Sequence, residues 1–233
     1  MTVKTSIIQL RKNFQPSSKP YSDIWLFIGF VIIGILGRTI LISYQVQPFP
    51  NFEIIMVLTF LAMLCMRPYL AFFIPLLSMI GSDMIIGNPI LSGNQINNIV
   101  LFTYTGFLII SLLSASFKNH SLKTINSLSL KTIGYTTGMG VGFTLIYDLW
   151  TNTGWWYLIY PHTFETLLSV FIAGIPFMIY HMLSTALTFT LIAAPALLIM
   201  KKRDYLHLTT QLPMTQKLPL ITLTILLITL SLT

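Results

Sequence analysis

Charged residues are scarce in this chain. Only 8% of its 233 residues are Asp, Glu, Lys or Arg, against about 25% in an ordinary soluble domain. That deficit excludes a conventional water-facing surface. Cysteine is nearly absent as well. The single Cys65 lies in an apolar run, which excludes an intrachain disulfide and any CxxC metal or redox pair. Polar stretches long enough for a soluble domain are missing. P-loop, HExxH, GxSxG and Ser-x-x-Lys spacings do not occur. We therefore expect no enzyme and no cofactor, and any ATP dependence would have to come from another chain.

Apolar residues fill the space left by charge. They make up 55% of the chain, with a mean hydropathy of +0.80. They fall in long runs and not in amphipathic stripes, so lipid is part of the solvent. The runs predict an all-α, polytopic integral membrane helical bundle with spans at about 24–44, 53–66, 69–87, 98–117, 133–150 and 177–200. A last run at 218–232 is either a seventh span or a segment that docks on a partner. Residues 166–200 would make about 52 Å of helix, more than the ~30 Å hydrocarbon core. Pro176 is the natural break, which leaves 166–175 as an outer segment. Three regions follow: a basic tail (1–23), the bundle (24–200), and a basic linker with a C-terminal hydrophobic segment (201–233). The first run is too long for a signal h-region and reads as an uncleaved span.

Twelve of the 13 basic residues obey one parity. They precede span 1 (Lys4, Arg11, Lys12, Lys19), separate spans 2 and 3 (Arg67) or 4 and 5 (Lys118, Lys123, Lys131), or follow span 6 (Lys201, Lys202, Arg203, Lys217). The connections 45–52, 88–97 and 151–165 carry none. The positive-inside bias then places the N-terminus in the cytoplasm of a cell with the chain in its plasma membrane. It also accounts for the net charge of +7 without nucleic acid. Anionic lipid headgroups are the expected partners of the basic face.

Arg38 is the exception, a cation inside a span, where charge is costly and has a task or a partner. Counting along the spans brings Arg38, Glu53, Asp83, Asp148 and His181 to the outer third. Two readings stay open: a polar pocket for a small solute, or an Arg38–Asp83 ion pair that locks spans 1 and 3. His181 is equally a hydrogen-bonded core histidine. The segment 151–165 (TNTGWWYLIYPHTFE) has the aromatic rings of a headgroup belt. It also suits a lid over a ring-bearing ligand, with hydrogen bonds from Asn152 and His162. Gly134, Gly138 and Gly142 share a helix face suited to close packing, as do Gly29, Gly34 and Gly37. Met178, His181 and Met182 form a stripe that reads as core rather than as metal ligands, so no metal is expected.

Several short motifs carry a resemblance: Arg38 followed by Pro50-Asn51-Phe52; Pro75 and Ser82-Asp83 with Gly87; Asp148 through Thr151-Asn152 to Gly154-Trp155; Tyr160-Pro161-x-Thr163; and Pro176-Phe177. Over residues 24–200 the chain resembles a family of uncharacterised prokaryotic membrane proteins. That family is similar to the S components, the substrate-binding subunits of energy-coupling factor vitamin transporters. The resemblance implies a six-helix bundle that binds a vitamin or micronutrient near the outer surface, lined by Asn51, Asp83, Asp148, Asn152 and Trp155. It also implies a transmembrane coupling subunit with ATPases as partner. Two features depart from the pattern. The Ala-x-x-x-Ala docking motif is missing from span 1, and the run 218–233 is extra. Both leave room for another role, a structural or assembly subunit of a larger membrane complex.

Overall fold

A computed structural model describes residues 20–44, 54–88, 91–92, 95–124, 129–202 and 214–232. The chain is an all-α membrane-type bundle. Its helices are α1 (Pro20–Ser43), α2 (Ile54–Cys65), α3 (Pro68–Ile86), α4 (Asn98–Thr124), α5 (Leu130–Ile159), α6 (Phe164–Thr188), α7 (Ala194–Lys202) and α8 (Met214–Ser231). A π-helical turn, Phe189–Ala193, joins α6 to α7. Two-residue strands β1 (Leu91–Ser92) and β2 (Gln95–Ile96) pair antiparallel between α3 and α4. Four helical stretches are long and apolar enough to cross a membrane: Asp23–Ser43, Pro68–Ile86, Asn98–Lys118 and Phe164–Met200.

The second apolar run forms the centre of the bundle. α2 has 12 residues, and every one from Ile55 to Cys65 is buried. At about 18 Å it is well short of the hydrocarbon thickness. A helix apolar on all sides has no face to offer water and is buried on all sides. It packs against α1, α3 and α4. Its Phe60 ring lies 6.1 Å from Phe143 of α5 and 5.3 Å from Phe189.

The basic parity has a structural counterpart at one end of the bundle. Arg67, at the N-cap of α3, places its Nε 2.7 Å from Asp23 in the first turn of α1. Its guanidinium also sits 5.4 Å from the Tyr69 ring centroid. Buried Lys118 donates to the Met66 carbonyl just past α2, at 3.2 Å. An acid at a helix start and a cation on a helix-end carbonyl both match the helix dipole.

Several expectations are corrected. Pro176 does not break the chain: α6 runs through it, and Phe164 to Lys202 is continuously helical. Lost backbone bonds at proline are tolerated in such helices because neighbouring groups re-satisfy them. The irregularity falls instead at Phe189–Ala193, where Phe189 presses on Gly140 so closely that a Cβ there would lie 2.5 Å from the ring. Residues 151–159 are helix and not loop, because α5 continues to Ile159. The hydroxyls of Thr151 and Thr153 turn back onto the carbonyls of Tyr147 and Leu149 (3.1 and 2.7 Å), so these polar residues suit a helix interior. Only 160–163 connects the two helices. Thr163 caps α6 by accepting from the Thr166 amide.

The glycines also sort differently. Gly34 and Gly37 let α1 approach Ser78 and Ile54, as expected for that face, but Gly29, Gly134, Gly138 and Gly142 have no neighbouring atom of the described residues within 4 Å of a Cβ position. The last run is α8, and it packs on α4 of its own chain with Leu220 and Thr224 buried.

Candidate functional site

α5 meets α6 and the π-helical turn after it along a ladder of polar pairs. Thr137 bonds Thr190 at 2.8 Å, Thr144 donates to Thr185 at 2.8 Å, and Asp148 Oδ1 lies 2.7 Å from His181 Nδ1. Each step up α5 is matched by a step down α6, as antiparallel helices require. Among apolar side chains such pairs fix register, and each contributes roughly 0.6 kcal/mol.

Above the last rung the helices part. A cavity of about 280 Å³ opens there, lined by Thr103 of α4, by Tyr147, Asp148, Thr151 and Asn152 of α5, and by Gly174, Phe177, Met178 and His181 of α6. A second hollow of about 250 Å³ shares Asn152, Gly174 and Phe177 and adds Trp155, Tyr160, Val170 and Ala173. The two form one cleft between α5 and α6 that reaches toward the 160–163 connection. Gly174 makes room for it, since a Cβ there would stand 2.9 Å from Asn152 Nδ2.

The chemistry of the cleft concentrates at its inner end. Asp148 is 8% exposed and His181 is 2% exposed. Asp148 Oδ1 takes the histidine, while Asp148 Oδ2 is buried and accepts no hydrogen bond among the described residues. A buried carboxylate oxygen with no donor is expensive. The His181 ring stands edge-on to Tyr147 with centroids 5.8 Å apart, and Tyr147 in turn packs at a tilt against Phe107 with centroids 4.8 Å apart. This wall fixes the histidine. Beside the cleft, Trp150 ties α5 to α4: its Nε1 donates to the Phe102 carbonyl and to Thr105 Oγ1, both at 3.0 Å.

A second cluster sits between α1, α3 and α4. Arg38 Nη1 lies 2.6 Å from Asp83 Oδ1 and 2.7 Å from Ser82 Oγ. Tyr104 donates to Asp83 Oδ2 at 2.8 Å. Asp83 is 1% exposed and both of its oxygens are satisfied. This is a closed network that ties three helices together.

The structure therefore divides the set that the sequence gathered into one. Asp148, Asn152, Trp155 and His181 share the α5–α6 cleft. Arg38 and Asp83 pair with each other and line neither hollow. Asn51 and Glu53 lie outside the described residues. His181 is also deeper than a break at Pro176 implied, 17 residues (~26 Å) along α6 from its start at Phe164. His162 does not reach the cleft chemistry. Its Nε2 lies 2.8 Å from the Tyr157 carbonyl and its ring stacks on Tyr157 at 4.8 Å, which pins the connection.

Sequence reading missed Tyr104 and Thr103, and it noted Ser82 only as part of the Ser82-Asp83 motif. Tyr104 and Thr103 fall within a long apolar run, and only their hydroxyls marked them. Gly174 was also missed, because a glycine beside a helical asparagine has no distinguishing spacing.

Comparison with curated proteins finds no match, and comparison with solved structures finds none. Residues 18–211 match a family described as a Family of unknown function (DUF6580). That match spans most of the 233 residues, and the chain belongs to this family.

Proposed function

We propose that this protein is a solute-binding subunit of a membrane transport system, working in the manner of an S component in the plasma membrane with its N-terminus in the cytoplasm. The single observation that carries the reading is the α5–α6 cleft, with a buried carboxylate oxygen that lacks a donor at its inner end. Ligand sites are concave, mostly apolar, and furnished with a few placed polar groups. Ionisable residues inside a membrane bundle mark such sites. In this reading Asp148, Asn152, Trp155 and His181 contact the solute, and Arg38 with Asp83 holds the frame. The helix ends at 43, 86, 98 and 159–164 form the outer rim.

Native mass spectrometry of the protein purified in mild detergent tests this. The expected result is a retained small molecule that Met178→Trp, which fills the cleft, excludes. Protein that carries no small molecule and gains no thermal stability from any of a broad panel of vitamins and metabolites would contradict it.

A second reading, an assembly subunit of a larger complex, draws on the face of α5 where Gly134, Gly138 and Gly142 meet nothing among the described residues. Identified partners decide between the two. Stoichiometric recovery of a coupling subunit with ATPases supports transport, and recovery of non-ATPase membrane subunits supports assembly.

A further inference from the structure

We infer that the α5–α6 cleft takes a small organic cation that carries at least one N–H donor. This rests on the solute-binding reading of the same cleft and adds the charge and size of the ligand.

The inner end offers an acceptor and, among the described residues, has no lysine or arginine beside it. Asp148 Oδ2 is buried with no hydrogen-bond donor among the described residues, while Oδ1 is held by His181 Nδ1. No lysine or arginine lines either hollow. Arg38 is engaged on Asp83, while Arg67 on Asp23 and Lys118 on the Met66 carbonyl belong to the basic end. An anionic ligand would meet a buried carboxylate that has only the His181 imidazole beside it among the described residues. In surroundings of low dielectric that juxtaposition is strongly unfavourable. A ligand that brings N–H groups and positive charge does the reverse. It donates to the vacant oxygen and neutralises the carboxylate.

The walls agree in character. Tyr147 and Phe177 border the inner cavity, and Trp155 and Tyr160 border the outer hollow. Aromatic faces attract cations, and more so when desolvated. Asn152 belongs to both hollows and is placed to orient a ligand that spans them.

Size removes the simplest cations. The inner cavity, at about 280 Å³, would hold about nine waters at ~30 Å³ each. That is far too much for one desolvated metal ion. Among the described residues no group of three His, Cys, Asp or Glu could hold a metal. A compact ring or short chain with an ammonium, amidinium or protonated heterocyclic nitrogen fits the space.

The test uses three near-isosteric probes, benzamidinium, benzamide and benzoate, titrated into the full-length protein in detergent by calorimetry. The expected result is saturable binding of benzamidinium alone. Asp148→Asn, which keeps an acceptor for His181 but removes the charge, should weaken it at least tenfold. Met178→Trp should abolish it with Asp148 intact, and helical circular dichroism should confirm that both variants are folded. Equal or stronger binding of benzamide or benzoate, binding indifferent to Asp148→Asn, or no binding of any probe overturns the inference. A neutral or anionic small molecule retained by the purified protein would also overturn it while leaving the solute-binding reading in place. No retained molecule together with no probe binding removes both.

Discussion

Two aspartates of identical type have different fates in this bundle, and the difference lies in their donors. Asp83 receives an arginine, a tyrosine hydroxyl and a neighbour bridged through Arg38, so its charge is fully spoken for. Among the described residues, Asp148 receives one histidine nitrogen on Oδ1 and no donor on Oδ2. The first is a fastener and the second an invitation. A double-substitution experiment tests the fastener. Arg38→Met leaves Asp83 buried without its cation, and thermal unfolding in detergent should show a loss of roughly 3 kcal/mol, the low end for a broken buried pair, since Arg38 keeps some solvent contact. Arg38→Met combined with Asp83→Leu should recover most of it, because no buried charge remains. A single variant as stable as the wild type would mean that the pair does not hold α1 to α3.

Among the helices, length and polarity are set by different signals, and only some were legible beforehand. Long apolar runs revealed α3 to within a residue at each end, whereas α1 begins four residues before its run and α4 continues seven residues past its run. α5 was cut short in the sequence reading because Thr151, Asn152 and Thr153 look like turn formers. Threonine hydroxyls that bond back to carbonyls one turn earlier remove that objection, but only the folded helix reveals it. Pro176 misled for a related reason, since proline ends helices in water more reliably than in a bundle that can re-satisfy the freed carbonyl. Glycine spacing failed too: the regular stripe on α5 is open, and the contacts are made by Gly140 and Gly154, which no period singled out. This last point is testable. Gly140→Ala should destabilise by about 1–3 kcal/mol through overpacking on Phe189. Gly138→Ala should be neutral or stabilise by up to ~1 kcal/mol through helix propensity. Thermal melts that reverse this order would contradict the packing described at the π-helical turn.

At the level of the whole molecule, charge told more than any motif. The parity of lysines and arginines implied one basic end, and Asp23, Arg67 and Lys118 interlock there. The polar residues at the other end were also legible as a population, because ionisable groups within apolar runs stand out individually. Their grouping was not. Depth along a span says nothing about azimuth, so Arg38 and Asp83 could not be separated from Asp148 and His181 without the helix packing. The folded chain thus has a basic end, a buried axis in α2, and one cleft that opens between α5 and α6 away from the basic end. Thiol labelling in membranes tests that layout most directly. In a Cys65→Ala background, Asn152→Cys should react with an impermeant methanethiosulfonate reagent added from the face opposite the basic loops. Ile146→Cys, exposed on the outside of α5, should stay unreactive in lipid. Labelling of Asn152→Cys only from the basic side, or not at all, would contradict a cleft that opens away from the basic end.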